Sequence, residues 1–559
     1  MIKKIDWFFI LLLALSIIAV LPFFHAGFYP MHDDTQVARI FEMGKALGDG
    51  MFPVRWVKDL GYGYGYPIFN FYAPFPYYLG GFLSLVRVDP LVATKLILGI
   101  GVFASGVSMY IFLKNFFSRA AGFLGAIIYL YFPYHAVNAY VRGDLGEIYS
   151  YVFYPLVFYG LIKIHAGKKS RKEMILSLLL AAVSISLVVI SHNLSAFMLF
   201  IFVGIFIISS LIFGSDRIKL ALSYFGVVGL SLLISSFYVL PVLFEMKYTN
   251  VVSQIGGGAN FVDHFVCLSQ LWSSQWGFGG STKGCIDGLS FALGKLNIAI
   301  LLLSIIFLFV ALKKGKQMFL VLFSTASVTV AIFLMLQISD PIWRLPYFEF
   351  LQYPWRFLAF AGFFIAILSA FCADSIKITL KTNAFMAFII MGVFLTIYVN
   401  GKYFIPQKFL PVESSSYTNI DYIKTVTSKI SDEYLPEEFN KKMGAVNQVI
   451  SADSSKIDII TNKTGYVKAD IESMLPSRVT VNIAYFPAWK LFVDGSERKY
   501  SKDGGIITTD LDSGKHTVEA KYYETPIENL GDFLTIIGIL SAVFLGIIAR
   551  GRIYGKKIA

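Results

Sequence analysis

At 559 residues, with 56% hydrophobic and only 15% charged residues, the chain is too apolar for a soluble globular protein and suits one that buries many helices in lipid. Its formal charge of +12 does not point to nucleic acid, because Lys and Arg occur in short groups between apolar runs and not on one domain. Cytoplasmic loops of a polytopic membrane protein account for that charge.

The first apolar run, 6–21, follows Lys3 and Lys4 as the core of a secretory signal would, but no small-residue cleavage site comes after it. It is long enough to cross a bilayer, and a membrane span is expected. Further spans are expected near 91–113, 120–134, 148–164, 174–191, 194–213, 220–240, 293–312, 317–336, 355–376, 384–399 and 533–548, about twelve in all. The run 67–86 is also apolar, yet three prolines and a Gly pair interrupt it.

Charge decides how that run is read. If 67–86 does not cross, then Lys114 and Arg119, the KKSRK run at 168–172, Arg217 and Lys219, KKGK at 313–316, Lys377 and Lys381, and the RGRIYGKK tail all share a side with Lys3 and Lys4. The segment is therefore expected to be re-entrant or surface-lying and buried against protein. Both chain ends are then cytoplasmic in a plasma or inner membrane, and the remaining loops are exported.

Three units follow: a transmembrane domain over 1–400 with its first external loop at 22–90, an extracytoplasmic domain over 401–530, and a final span with a basic tail over 531–559. The second half of 401–530 alternates as strands do in SRVTVNIAYF, WKLFVDG and KHTVEAKYY, with Asp494-Gly495 and Ser513-Gly514 as turn signals. A small β-rich sandwich is expected there, with a helix in the first half. The fold class expected is an α-helical polytopic membrane protein with a C-terminal extracytoplasmic β-rich domain. Cys372 lies in an apolar run, whereas Cys267 and Cys285 share one polar loop that permits a disulfide only outside the cell.

Two acidic groups face the exported side. In MHDDTQVARIFEMGKALGDGMFPVRW, residues 31–56, Asp33 and Asp34 are adjacent, and such pairs raise one pKa, bind a cation or accept a substrate proton. The spacing of Val37, Ile40, Phe41 and Gly44 is helical, so Asp34 also suits an N-cap. In YHAVNAYVRGDLGEIYSYVFYP, a helix starting near Leu145 sets Asp144 and Glu147 on one side, with Arg142 beside them; a surface ion pair is the plainer reading. Asp33, Asp144 and Glu147 would supply hard oxygen ligands to a divalent Mg²⁺ or Mn²⁺ cofactor.

These motifs, in this order, resemble the GT-C class of membrane glycosyltransferases, which includes protein O-mannosyltransferases, aminoarabinose transferases and the catalytic subunits of oligosaccharyltransferase. HDDTQVARI resembles their first-loop acidic motif, and YVRGDLGE resembles the Asp-Asn-Glu motif of the last group. A closer resemblance, carried by GYGYGYPIFNFYAPFPYYLG, VRGDLGEIYSYVFYPLVFYGL, SHNLSA, QYPWRFLAF, FPAWKLFVDG and SGKHTVEAKYY, is to the YfhO-like and 6-pyruvoyl-tetrahydropterin synthase-related membrane proteins. Pterin chemistry is not implied, since the seven histidines lack the spacing of a zinc cluster.

The resemblance implies transfer of a sugar from a polyprenyl-phosphate-linked donor to a cell-envelope glycan, lipid or protein, with Asp33 as catalytic base or acceptor-orienting carboxylate and Asp34 second. Phosphate binding falls to Arg356, which enters a span from the outer face, with Arg142, Arg55 and His192 as further candidates. An interfacial anchor beside Trp355 and a structural histidine are the alternatives for Arg356 and His192. Membrane lipids are expected partners and nucleic acid is not. The rival class is a lipid or lipid-linked-sugar flippase, although ion-coupled transporters place ionisable groups near the midplane, which these spans leave almost free of charge.

Overall fold

The computed structural model describes residues 5–167, 170–254, 259–311, 317–453 and 455–551. Lys3, Lys4, the KKGK run, part of KKSRK and all but the first two residues of the basic tail lie outside the described residues. Among the described residues ten helices are long and apolar enough to cross a membrane, and a bent pair, Arg119–Leu130 with Pro133–Arg142, makes an eleventh. The apolar helix Lys295–Ala311 stands where the remaining span is expected. The most enclosed of them, Pro354–Ile376, is almost entirely buried by its neighbours and forms the axis of the bundle.

Contacts gather some of these loops at opposite ends of the bundle. At one end, Asp6 pairs with Lys114 at 3.6 Å, the Ser118 N–H donates to Asp374 at 3.2 Å, and Gln317 donates to the Phe116 carbonyl at 2.8 Å. At the other end gather the loops that carry His32, Asp144, His192 and Arg356.

No helix within the run 67–86 is long enough to cross a membrane. The run forms the short helices Ile68–Phe71 and Phe75–Leu85, and eleven residues rise only about 16 Å, half of a bilayer core. Its Gly pair is no break in the second helix. Gly80 and Gly81 lie where the helix Gln36–Gly48 crosses it, and a β-carbon on either would stand 2.7 Å from Ile40 or 2.5 Å from Met43. Asp34 does not cap that crossing helix; Thr35 holds the N-cap position, without a side-chain hydrogen bond.

Helical turns between Ser415 and Ile430 take the place of the single helix expected in the polar block. Eight strands follow: β1 Ile450–Ala452, β2 Ser455–Lys463, β3 Tyr466–Ser473, β4 Ser477–Ala484, β5 Trp489–Val493, β6 Ser496–Arg498, β7 Ile506–Leu511 and β8 Gly514–Tyr522. They form two antiparallel sheets, ordered β1-β4-β7 and β2-β3-β8-β5-β6. Alternate residues on β3 and β4, such as Val467, Ala469, Val479 and Val481, are buried as period-two patterning requires. Asp494-Gly495 closes the β5–β6 hairpin with both residues at positive φ, whereas Ser513-Gly514 carries the chain from one sheet to the other.

The block is clasped to the first loop. The Val446 N–H donates to the Tyr62 carbonyl and the Ala484 N–H to the Tyr64 carbonyl, both at 2.9 Å, and Trp56 packs edge-on against Trp489. The last helix, Pro526–Gly551, then returns along Arg217–Glu245.

Candidate active site

The second acidic motif is built by local chain chemistry. Pro133 cannot continue the helix before it, so the chain bends by 43° and restarts. It then widens into a π-helical turn over Asn138–Arg142 and stops at Gly143, whose φ is +67°. A β-carbon on Gly143 would also fall 2.0 Å from the Met31 sulfur, so glycine is required twice over. Asp144 caps the next helix, Leu145–His165, by accepting from the Glu147 N–H at 2.9 Å. This is the helix start expected from sequence.

Arg142 is the hub. Its Nη1 donates to Glu147 at 2.5 Å, to Asn138 at 2.6 Å and to the Tyr134 hydroxyl at 3.1 Å, and its Nη2 donates to Asp144 at 2.7 Å. The guanidinium lies 5.0 Å from the Trp355 ring. The ion pair is therefore buried, not on the surface, and both carboxylates face one cation.

Asp33 reaches the same place by backbone pairing. The His32 N–H donates to the Val141 carbonyl at 3.0 Å, and the Asp33 N–H donates to the Arg142 carbonyl at 2.9 Å. Gln36 adds a bond to the Gly143 carbonyl at 2.9 Å, and Tyr77 holds Gln36 in turn at 2.5 Å. Among the described residues no hydrogen bond or ion pair joins the Asp33 carboxylate to a partner, and it lines a cavity of about 480 Å³. Burial, reinforced by the nearby charge of Asp144, pushes its pKa upward. Asp34 turns away, toward Tyr417 and Tyr422, and burial pushes it up to about 6.

Arg142, Asp144, His192 and Arg356 line that cavity with Asp33. His192 caps the helix Asn193–Phe213, its Nδ1 accepting the Ser195 N–H at 3.2 Å, which leaves Nε2 directed at Asp144, 3.8 Å away. Burial lowers the His192 pKa. Burial raises the Asp144 pKa, but His192, Arg142 and the Glu147 N–H outweigh it and hold the carboxyl at about 2. Arg356 donates to the Leu351 carbonyl at 2.7 Å and to Gln352 at 3.4 Å, beside the rings of Tyr353 and Trp355. Unlike Arg142 it has no carboxylate within ion-pair distance among the described residues.

Asp33, Asp144 and Glu147 are the ligands expected of a divalent ion. Arg142 stands between the last two, and among the described residues no group of three or more His, Cys, Asp or Glu side chains is placed to hold an ion. Arg55 lies elsewhere. It donates to the Phe237 carbonyl at 2.6 Å and to Asp532 at 2.5 Å, joining the first loop to the helices Arg217–Glu245 and Pro526–Gly551. Glu433, Tyr72 and His32 also line the cavity without having been singled out in the sequence as site residues. Arg39 stacks behind Tyr72, 4.2 Å from its ring.

Residues 69–404 match the 6-pyruvoyl-tetrahydropterin synthase related domain, a membrane protein family. The chain belongs to this family. Within it, the match covers the second acidic motif, His192 and Arg356, while Asp33 and the strands lie outside the matched residues. A protein of Lactococcus lactis subsp. cremoris (strain MG1363), described only as uncharacterised, is 23% identical over 256 residues, 44% of this chain and 41% of that relative's length.

Among solved structures, the oligosaccharyltransferase of Archaeoglobus fulgidus is 12% identical with a TM-score of 0.51, over 78% of this chain and 60% of its own. This PTPS-related protein thus has the GT-C fold. The mycobacterial arabinofuranosyltransferase AftD is similar at a TM-score of 0.47 and 12% identity, over 72% of this chain and 27% of its own. ArnT from Cupriavidus metallidurans, solved bound to undecaprenyl phosphate, is similar at 0.42 and 10% identity, over 77% of each chain.

Proposed function

We propose that this protein transfers a sugar from a polyprenyl-phosphate-linked donor to a hydroxyl acceptor on the outer side of the membrane. One observation carries the reading: among the described residues a half-buried Asp33 carboxylate with no hydrogen-bond or ion-pair partner shares a cavity with two guanidinium groups and an imidazole, and Arg356 has no carboxylate within ion-pair distance. A raised carboxylate with no partner is suited to take the proton of an attacking hydroxyl. The guanidinium of Arg356, with Arg142 behind it, would stabilise the negative charge that builds on the departing phosphate.

Apolar side chains at the same cavity, Leu194, Val242, Met246 and Phe350, give a lipid tail a path toward the bundle surface, where Leu243 and Phe244 are exposed. The outer location of the site is supported by the Cys267–Cys285 disulfide in the adjoining loop, since such bonds persist outside the reducing cytosol. Both chain ends are then cytoplasmic.

The reading is tested in membranes from a host lacking the protein, supplied with radiolabelled polyprenyl-phosphate sugars. Wild type should label polymer, lipid or protein, and Asp33→Asn should lose the signal by about a hundredfold at equal expression. Equal movement of the labelled lipid across the membrane by both forms, with no sugar transferred, would replace this reading by a flippase.

A further inference from the structure

Glu433 lines the cavity, yet neither the base nor the phosphate site accounts for it. It sits on the single turn Asp432–Tyr434, between the span Thr382–Tyr403 and β1. Its neighbour Asp432 is plainly structural, accepting from the Tyr62 hydroxyl at 3.1 Å and pairing with Lys441 at 2.7 Å. The turn is pinned on both sides as well. The Ser431 hydroxyl meets the Tyr66 hydroxyl at 2.9 Å, and the Asn250 N–H donates to the Leu435 carbonyl at 2.9 Å.

A turn fastened this firmly presents Glu433 in a fixed place. Arg39 acts on it electrostatically, but among the described residues no Lys or Arg forms an ion pair with it. A donor phosphate would be repelled by Glu433 and drawn to Arg356 and Arg142, which the bundle supplies, whereas the exported block supplies Glu433. The side of the cavity nearest the exported block is thus unsuited to the donor's charge and suited to hydroxyl groups, which a carboxyl receives in strong hydrogen bonds.

We propose that Glu433 is an acceptor-binding residue, receiving hydroxyl groups of a polyhydroxylated, glycan-type acceptor held between the exported block and the bundle. The inference rests on the transferase reading of the same cavity. It gives the β-bearing block a part in choosing the acceptor, beyond covering the site.

The test measures the fate of the sugar. Membranes of the native host carrying the full chain, and hence their own acceptors, receive radiolabelled undecaprenyl-phosphate hexoses and pentoses, and label is followed into polymer and into free sugar released by water. Glu433→Gln should lower the ratio of polymer to free sugar by about tenfold or more, the usual loss of a charged hydrogen bond, with Glu433→Asp in between. The melting temperature should stay near that of wild type, which the loss of a merely structural contact would not allow. A ratio within twofold of wild type, or both products falling together, would overturn the inference while leaving the transferase reading intact. Absence of both products from wild type would overturn the transferase reading itself, and the inference with it.

Discussion

Adjacent carboxylates in this protein have opposite fates, and their neighbours decide which. Asp33 is fixed by its own N–H to the Arg142 carbonyl and opens on the cavity, while Asp34 packs toward Tyr417 and Tyr422. Because Asp34 holds its proton up to about 6 when folded, against the ordinary 3.8, the folded chain binds more protons than the unfolded one between those values. Stability should therefore fall as pH rises from about 4 to 6 and level off above. Asp34→Asn removes this loss, so its melting temperature relative to wild type should be higher at pH 7 than at pH 4. Arg142 is the opposite case. Arg142→Ala strands Asp144 and Glu147 in the bundle, and a loss of about 3–5 kcal/mol is expected, read as a collapse of thermal stability in detergent. Substituting Lys should not rescue it, since one ammonium cannot reproduce four bonds in a plane.

At the scale of elements, the spans and the start of the helix after Asp144 were legible because hydropathy, charge and an N-cap pattern are local signals. The Pro-rich run was legible only through the charge of distant loops, and its Gly pair was misread as a break. Gly80 and Gly81 permit a helix crossing, a relation between segments that no local pattern carries. Gly81→Val should push the Gln36–Gly48 helix outward, costing about 1–3 kcal/mol and displacing Asp33 with it. Activity should drop even where the protein still inserts and melts cooperatively, which a transfer assay beside a melting curve would show. Glu433 was illegible for a similar reason: in DEYLPEEF it is one acid among several, and only the docking of that turn against Tyr62 and Tyr66 distinguishes it.

Across the whole molecule, the first loop ties everything together. It supplies Asp33 and the backbone that clasps the β-bearing block, and through Arg55 it anchors the last helix. Sequence reading kept Arg55 as a further candidate for the phosphate, and nothing local revealed its partner Asp532, 477 residues away. Arg55→Ala should loosen Pro526–Gly551 and raise proteolytic cleavage before it, with the cavity's own side chains unchanged.

The most direct measurement of the central claim is a cryo-EM structure of the full chain in lipid nanodiscs with a polyprenyl monophosphate. Phosphate density within ion-pair distance of Arg356, in the cavity that also holds Asp33, is the expected result. Phosphate bound at another face of the bundle, or a cavity that stays closed to the lipid, would contradict it.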